Sequence, residues 1–362
     1  MQRIAFFCYD NQVNYHHVGG MDSLVRRLAH ALIKLGDQVD IVHYGSDNYQ
    51  SEQLCDGIKQ LHFCDFEDAC QFLSEECDDV LSIHLRRADR IKYAKFRRQW
   101  QNKVRFHHIY SVWNESRIKR ELLFSEARLF PFNGCLFCLS PRFYKTVSRW
   151  SKRAVLLLPP VDHSYFCTPS EKSNSDKLRI AFAGRVDPGK GVQNALDVFS
   201  RLGDKMDIDA RVCGYAWSHR AETIEMHESL IANPEIRYEP VEYKKWDQNV
   251  DDDIVSILHN SDILLLPYQK LSSTVDTPLL LLEGMASLCT IITPPLGDLH
   301  LLYGESIFNI GSPWDSYEVV DLILAGREQL HEERGRILLQ NDSLCFDSKS
   351  VAAQLKKSML DC

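Results

Sequence analysis

The feature that most constrains the fold is an alternation of short apolar runs with amphipathic helices, which begins at the first residues. The run Arg3–Tyr9 has the length and apolar character of a buried strand. Apolar residues then recur at helical spacing, at Met21, Leu24, Val25, Leu28, Ala29, Leu32 and Ile33. Gly36 ends this predicted helix, and a second strand follows at 38–44. A strand, a helix and a strand of these lengths form a βαβ unit, so we expect a parallel sheet.

The same alternation starts again after a proline pair and a polar, linker-like segment at 168–177. Strand, helix, strand and helix are predicted at 178–183, 192–202, 208–214 and 221–231. Further strands are predicted at 80–84, 104–108, 134–139 and 155–158, and at 236–238, 263–266, 290–293 and 306–310. We therefore expect an α/β protein with two doubly wound, Rossmann-like domains, residues 1–165 and 166–345. The default ligand site of such a protein is the cleft between its domains.

Composition favours a soluble globular protein. Hydrophobic residues make up 44% of the 362 residues and charged residues 25%, which excludes disordered and coiled-coil chains. No apolar run approaches the roughly 18 residues of a membrane-spanning helix, and the first residues lack the pattern of a signal peptide. Twelve cysteines are scattered along the chain, and the second pair that would complete a zinc site with Cys135 and Cys138 is missing. We expect buried free thiols in a reducing cytoplasm, with a metal or redox site at this pair as the alternative.

Charge is distributed unevenly along the chain. The net charge is −8, but residues 1–160 hold 23 basic and 18 acidic side chains, whereas residues 161–362 hold 19 and 32. Part of the basic excess lies in the stretch Arg86–Arg105, which also contains Tyr93, Phe96 and Trp100. A solvated helix face explains most such stretches, and contact with an anionic membrane or an acidic, lipid-linked acceptor is the alternative. Nucleic acid is not expected as a partner, because no recognition module accompanies the charge.

A glycine-rich turn with two cations follows the first strand of the second half. Its sequence is Ala183-Gly184-Arg185-Val186-Asp187-Pro188-Gly189-Lys190-Gly191. Arg185 and Lys190 therefore lie between the carboxyl end of a strand and the helix predicted from residue 192. Glycines let backbone N–H groups approach an anion, and arginine offers a bidentate fork to phosphate oxygens. The alternative is an ordinary strand-to-helix turn with two solvated cations.

A second candidate segment is the apolar helix predicted at 278–286. Asp276 or Thr277 is expected to cap this helix, with Pro278 in its first turn. Glu283 then lies about a turn and a half into the helix, where a carboxylate is able to accept hydrogen bonds from the two hydroxyls of a ribose. The preceding loop, 271–275, offers N–H and O–H donors to phosphates. A solvent-facing Glu on an amphipathic helix is the alternative.

Taken in order, these motifs resemble a known family. They are Gly19-Gly20 before the first helix, the run 28–39 at its end, Pro159–Asp162 with Phe166, Gly184-Arg185 with Lys190-Gly191, the run 260–267 and the run 282–286. This order is similar to that of the retaining glycosyltransferases of the GT-B fold, specifically the large family 4 (glycosyl transferases group 1), which use nucleotide sugars. The resemblance extends over nearly the whole chain.

The resemblance implies an enzyme that moves a hexose from a nucleoside diphosphate sugar to a hydroxyl of a glycan, lipid-linked or small-molecule acceptor. Arg185 and Lys190 would hold the diphosphate in place of a metal, and no cofactor is implied. Glu283 would bind the ribose, and the backbone at Gly19 and Gly20 would approach the donor phosphate and the acceptor. A helix within 346–362 would pack back on the first domain, as in the family.

One residue departs from the family pattern. The family has a second Glu eight positions before Glu283, where this chain has Val275. The resemblance leaves Asp276, Ser273 and Thr274 as the residues that would contact the donor sugar or its phosphate instead.

The family also places a His at the end of a strand of the first domain, near the reactive carbon of the donor sugar. His107 and His108 are the first candidates, because they follow the run 103–106, and His84 ends the preceding predicted strand. A half-buried polar side chain without a catalytic role is the alternative for each.

Two other functions remain open at this stage. A nucleotide-sugar epimerase has the same fold but does not account for Arg185, Lys190 and Glu283 in this order. A non-catalytic paralogue that binds a nucleotide sugar is supported by Val275 alone. The acidic run 251–253 is expected to stabilise the first turn of a helix, with a metal site as its alternative.

Overall fold

The chain divides into two compact α/β units. The computed structural model describes residues 1–10, 12–45, 50–111, 116–172, 176–215, 221–234, 236–241, 246, 248–271, 274–311 and 313–362. The first unit comprises Met1–Tyr15, Met21–Pro160 and Asp347–Cys362, and the second comprises His16–Gly20 and Val161–Phe346. Each unit contains a largely parallel sheet, so the predicted pair of Rossmann-like domains is confirmed. The division between the units falls at Pro160, a few residues before the predicted boundary at 165.

The first unit alternates strands and helices along the chain. Its elements are β1 (Arg3–Tyr9), α1 (Gly20–Lys34), β2 (Gln38–Tyr44), β3 (Glu52–Cys55), β4 (Ile58–Phe63), α2 (Phe66–Glu76), β5 (Asp79–Ser82), α3 (Arg90–Trp100), β6 (Arg105–Tyr110), α4 (Arg117–Leu129), β7 (Leu136–Cys138), α5 (Pro141–Val147) and β8 (Ala154–Leu156). The strands form one sheet in the order β3-β4-β2-β1-β5-β6-β7-β8. Phe7, Tyr93, Phe106, Phe124 and Phe143 belong to the buried cluster that joins this sheet to its helices.

The hairpin of β3 and β4 has no counterpart among the predicted elements. These two strands are antiparallel and their turn pairs Cys55 with Ile58, whereas every other strand pair of the sheet is parallel. The turn residues are Asp56 and Gly57, and Gly57 has a φ of +88°. An Asp-Gly pair between two strands is the usual sequence of a two-residue hairpin turn, so the signal was present in the sequence.

The second unit has the same alternation in a smaller sheet. Its elements are β9 (Leu178–Arg185), α6 (Val192–Gly203), β10 (Ile208–Tyr215), α7 (Ala221–Ala232), β11 (Arg237–Pro240), α8 (Gln248–His259), β12 (Ile263–Leu265), α9 (Leu279–Ala286), β13 (Thr290–Ile292), α10 (Leu299–Tyr303), α11 (Ser316–Gly326) and α12 (Leu330–Leu344). The strands are all parallel, in the order β11-β10-β9-β12-β13. The strand predicted at 306–310 is wrong, because Phe308 and Ile310 fill the core from an irregular segment outside the sheet.

The order of strands reverses once in each sheet, and this reversal positions the candidate residues. In the second unit the reversal lies between β9 and β12, and in the first unit between β1 and β5. The connections leave the sheet in opposite directions at such a point, so a crevice opens outside the carboxyl ends of the two strands. The turn at 184–191 directly follows β9, and Pro267 and Tyr268 follow β12 closely.

A last helix, α13 (Ser348–Asp361), belongs to the first unit. Lys356 Nζ lies 2.7 Å from a carboxylate oxygen of Asp37, and the side-chain amide of Gln354 donates to the Leu156 carbonyl at 2.9 Å. A disulfide between Cys135 and Cys362 lies at its end, with the two Cα atoms 6.1 Å apart. The expectation of a free thiol is therefore wrong for Cys135, since its partner is 227 residues away in sequence and close only in the folded chain.

This disulfide predicts a thiol count. Protein purified without reductant and then denatured is expected to show ten reactive thiols, and twelve after reduction. A Cys362→Ser variant is expected to show eleven in both states, because Cys135 then has no partner. Titration with a chromogenic disulfide reagent measures all three numbers. Twelve thiols in the unreduced wild-type protein would contradict the bond.

Candidate functional site

The turn after β9 is shaped by a glycine and an aspartate. Gly184 has a φ of +126°, a backbone conformation that residues other than glycine rarely adopt. Asp187 then caps a single 3₁₀ turn, 188–190, by accepting a hydrogen bond from the Lys190 backbone N–H at 3.0 Å. Its other carboxylate oxygen lies 2.7 Å from Nε of Arg185. Asp187 therefore orients the guanidinium, a role that the sequence analysis did not assign.

Gly191 brings this turn against the chain that follows β12. It has a φ of +79°, and a Cβ atom at this position would lie 2.0 Å from the carbonyl oxygen of Pro267. No side chain fits in that space. This contact holds the turn that follows β9 next to Pro267 and Tyr268, which follow β12. The strand order reverses between these two strands.

Tyr268 is the neighbour that the predicted residues have in common. Nζ of Lys190 lies 4.7 Å from the centre of its ring. Burial raises the pKa of Tyr268 above its ordinary value, Thr274 and Arg185 lower it, and the carboxylate of Glu283 raises it. Burial also lowers the pKa of Lys190 to about 8, with a further decrease from Arg185. Lys190 therefore packs against this buried ring, and Thr274, Arg185 and Glu283 lie near enough to shift its ionisation.

Sequence reasoning missed Tyr268, because its position is informative only once the order of the strands is known. The residue lies in the loop directly beyond β12, at the point where the strand order reverses. Ligand-contacting side chains of doubly wound sheets concentrate at such positions. Without knowledge of which strands are adjacent, a Pro-Tyr pair after an apolar run is not distinguishable from other loop starts.

The helix that carries Glu283 differs slightly from its prediction. Pro278 is the N-cap, with φ −64° and ψ 135°, so helical geometry starts at Leu279 rather than at the proline. Asp276 and Thr277 are buried just before the helix, at 1% and 3% exposure. Glu283 is only 7% exposed, which excludes the alternative of a solvent-facing side chain. Ser273 lies outside the described residues.

The glycines of the first helix show no steric requirement. Gly20 is exposed at the start of α1, and an added Cβ would meet no atom within 4 Å. Gly19 lies half-buried just before it. Because folding does not demand glycine at residue 20, the proposed approach of a ligand to this backbone stays a prediction.

His107 has a structural role in this fold. Strand β6 continues to Tyr110, so neither His107 nor His108 lies at its end, contrary to expectation. The His107 ring is fully buried, its Nδ1 accepts the Cys135 backbone N–H at 2.9 Å, and its Nε2 lies 2.9 Å from Oδ1 of Asp79. Both ring nitrogens are therefore engaged within the sheet, and the structure does not support His107 as a catalytic residue.

His108 points to the opposite face of the same strand. Its Nδ1 lies 3.0 Å from Oγ of Ser82, and its ring stacks on Phe132 with centres 5.5 Å apart. Burial lowers the pKa of His108 to about 3, with further decreases from Arg90 and Arg97. The ring is thus neutral at physiological pH. A catalytic role for His108 stays a prediction.

The family pattern places a histidine at the end of a strand, and His84 fits this position better than His107 or His108. It lies just after β5, at the reversal in strand order of the first sheet, and its carbonyl accepts the Tyr9 backbone N–H at 3.3 Å. Its Nε2 lies 3.5 Å from Oγ of Ser111, which directly follows β6. Burial lowers the pKa of His84, so this ring too favours the neutral state.

Two acidic motifs lie at defined places in the second unit. The run 251–253 lies within α8, and among the described residues no group of His, Cys, Asp or Glu is placed to hold a metal ion. Asp262, in the run 260–267, lies before β12 at the end of the sheet opposite the candidate site. It accepts hydrogen bonds at 2.7 Å from both Arg179 and Arg334, and so ties β12 to β9 and α12.

The chain is similar in structure to several solved proteins over nearly its whole length. HepE of Anabaena in complex with UDP aligns with a TM-score of 0.72 at 10% identity, over 100% of both chains. Sucrose-phosphate synthase of Thermosynechococcus elongatus aligns with a TM-score of 0.66 at 14% identity, over 99% of this chain and 98% of that one. TarM aligns with a TM-score of 0.68 at 10% identity, over 99% of both chains.

No protein-family model matches the sequence, and no curated protein matches it. At identities this low, structural similarity is evidence of a shared fold and not of a shared activity. The chain has the fold of the GT-B proteins.

The contact of Gly191 with Pro267 predicts a large loss of stability on substitution. Gly191→Ala is expected to lower the free energy of unfolding by more than about 2 kcal/mol, because the residue is left-handed and its Cβ would collide with backbone. Gly335→Ala is the matched control, since that position in α12 has open space around it. The control is expected to stabilise the helix by up to about 1 kcal/mol. Urea denaturation of both variants measures the difference, and equal midpoints would contradict the close approach.

Proposed function

We propose that this chain is a retaining glycosyltransferase similar to those of family 4. It transfers a hexose from a nucleoside diphosphate sugar to a hydroxyl of a glycan, lipid-linked or small-molecule acceptor. The observation that carries this proposal is the cluster of Arg185, Lys190 and Glu283 around Tyr268 at the reversal in strand order of the second sheet. Two cations and a buried carboxylate near the same tyrosine suit the diphosphate and the ribose of one nucleotide.

Each member of the cluster has a distinct part in donor binding. Arg185, held by Asp187, presents a planar fork to phosphate oxygens. Lys190 adds a second positive charge from a half-buried position, where an anion is bound more strongly than in water. Glu283, which is 7% exposed, accepts hydrogen bonds from the ribose hydroxyls. Thr274 and Asp276 are the described residues that we assign to the sugar, since Val275 replaces the usual acidic side chain.

The same two cations stabilise the diphosphate as it leaves the donor sugar. The bond between the anomeric carbon and the diphosphate oxygen breaks, and negative charge grows on the leaving diphosphate beside Arg185 and Lys190. The acceptor oxygen bonds to the anomeric carbon on the same face, and its proton passes to the departing phosphate. No protein nucleophile and no metal are assigned in this scheme, which follows the resemblance to family 4.

The structural neighbours favour a uridine nucleotide as the first donor to test. HepE was solved with UDP and with UDP-glucose, and a TarM variant with UDP and a glycosylated glycerol. We assign the acceptor to the first unit, at the carboxyl edge of its sheet, where His84 and Ser111 lie close together. Of the histidines considered, His84 is the one we place in the transfer reaction, with His108 as the alternative.

Donor binding is expected to depend on Arg185. Among UDP, GDP, ADP and TDP, one diphosphate is expected to raise the melting temperature by mass action. Arg185→Ala is expected to weaken its binding by roughly 30-fold, or about 2 kcal/mol, because hydrogen bonds from a charged group are lost. Arg237→Ala is the matched control, since this exposed arginine starts β11 at the opposite end of the sheet. Calorimetric titration measures both affinities.

The two outcomes separate the candidate functions. If no diphosphate binds the folded protein, or if Arg185→Ala binds as tightly as the wild type, the donor site is wrong. If a diphosphate binds through Arg185 but its sugar conjugate is neither hydrolysed nor transferred to any acceptor, the non-catalytic paralogue is favoured instead. Val275 is the observation that keeps this second function open.

Binding is also expected to depend on pH through Lys190. Its pKa of about 8 means that the side chain loses its charge as pH rises through this value, and a bound diphosphate favours the charged form. The dissociation constant of the diphosphate is therefore expected to rise about tenfold between about pH 7 and about pH 9. Lys190→Gln is expected to bind weakly with a flat profile, while Arg237→Ala keeps the wild-type slope. A flat wild-type profile would contradict the assignment of Lys190.

A further inference from the structure

Most of helix α13 is held on the first unit by packing. The side chains along one face of the helix are buried, and they are Val351, Ala352, Leu355 and Met359. Gln354 and Lys356 add a hydrogen bond and an ion pair to other parts of the unit. The body of the helix therefore needs no covalent bond to stay in place.

The end of α13 is held in a different way. Leu360, Asp361 and Cys362 are exposed, with Leu360 at 55%, so these residues contribute little packing. Cys362 is bonded to Cys135, which is fully buried just before β7. The disulfide is thus the strongest contact that fixes this end of the helix to the unit.

Cys135 is fixed in the sheet independently of its sulfur. Its backbone N–H donates to Nδ1 of His107 at 2.9 Å, and its carbonyl accepts the His108 backbone N–H at 3.1 Å. Neither contact involves the side chain. Opening the disulfide therefore leaves Cys135 in place and frees the Cys362 side of the bond.

The bond also closes a covalent ring that contains most of the second unit. Cys135 and Cys362 both belong to the first unit, and the chain between them includes Val161–Phe346. This segment joins the first unit at both of its ends. At one end the chain comes from the sheet strand β8, and at the other it continues into α13. The disulfide therefore gives the second of these two connections a covalent anchor.

The other cysteines are not placed to compete for this bond. Ten cysteines are free thiols, and seven of these are buried, so a thiol reagent has little access to them in the folded protein. Cys138 follows Cys135 by three residues, and burial raises the pKa of its thiol to about 12. It is therefore a neutral, weakly nucleophilic thiol in β7. Exchange is thus directed to the exposed Cys362 side of the disulfide.

We infer that the bond between Cys135 and Cys362 is a redox switch for the attachment of α13. In the oxidised protein the end of the helix is fixed to the first unit. In the reduced protein residues 358–362 leave the unit, while the buried turns of the helix stay packed. The inference is independent of the proposed function, since it involves no residue assigned to the donor or the acceptor.

The switching step is thiol–disulfide exchange with a dithiol reductant. A thiolate of the reductant attacks Sγ of Cys362, the bond to Cys135 breaks, and Cys135 leaves as a thiolate that takes up a proton. The second thiol of the reductant then displaces Cys362, and a disulfide forms within the reductant. Two electrons pass to the protein. The carbonyl oxygen of Ser358 lies 3.1 Å from the Cys135 sulfur and is the nearest acceptor for the new thiol.

Hydrogen exchange followed by mass spectrometry tests the switch on the full chain. Protein purified without reductant is compared with protein treated with dithiothreitol in the absence of denaturant. The amides of residues 358–362 are expected to exchange at least about tenfold faster after reduction, because this end of the helix frays. The amides of residues 352–356 are expected to keep their protection. Iodoacetamide is expected to label Cys362 only after reduction.

Three variants separate the bond from the packing. Cys362→Ser is expected to exchange like reduced wild-type protein and not to respond to dithiothreitol. Cys345→Ser is the matched control, because it removes an exposed free thiol just before α13 and leaves the bond intact. Its response is expected to equal that of the wild type. Gln354→Ala is expected to lose protection at 352–356 only when reduced, since the bond then no longer compensates for the missing hydrogen bond.

Three results would overturn the proposal. The first is a disulfide that dithiothreitol opens only once the protein is denatured, because the bond would then be a permanent part of the fold. The second is equal protection of residues 358–362 in oxidised protein, reduced protein and Cys362→Ser. The third is a loss of protection throughout the first unit in Cys362→Ser, since the bond would then be required for folding and not for the attachment of one helix end. Circular dichroism of each variant accompanies the exchange data.

Discussion

The candidate site depends on one close approach between two pieces of backbone. Gly191 lies against the carbonyl of Pro267, so the turn that follows β9 and the loop that follows β12 share a boundary with no side chain between them. The parallel pairing of β9 with β12 brings the two strand ends to the same edge of the sheet. The rest of the cluster follows, because Arg185 and Lys190 lie on one side of this boundary and Tyr268 on the other.

This approach also determines the electrostatics of the site. Two cations within one short turn repel each other, and burial of Lys190 against Tyr268 lowers its pKa to about 8. Asp187 offsets part of this cost by pairing with Arg185 and by capping the turn. An anion placed between the two cations would offset their mutual repulsion, which agrees with the diphosphate site proposed above.

The parts of the site that sequence reasoning found are those encoded by local pattern. Gly184, Arg185 and Lys190 are contiguous in a strand-to-helix turn, and Glu283 lies on a helix whose apolar run is evident. Sequence reasoning placed His107 at a strand end, whereas the residue lies within β6, because a buried histidine held by Asp79 and by a backbone N–H has the same sequence context as one at a strand end. It also overlooked the Asp56-Gly57 hairpin, although that turn is itself a local signal.

Local periodicity by itself determined the α/β class, the division into two units and the position of the cation-bearing turn, because spacing along the chain is enough to specify strands and helices. Tertiary structure alone decided which strands are neighbours. That decision placed Tyr268 beside Lys190, brought His107 of β6 against Asp79 of β5, and joined Cys135 to Cys362. The physical reason is that strand order and side-chain burial depend on packing between residues far apart in sequence, which no local pattern records.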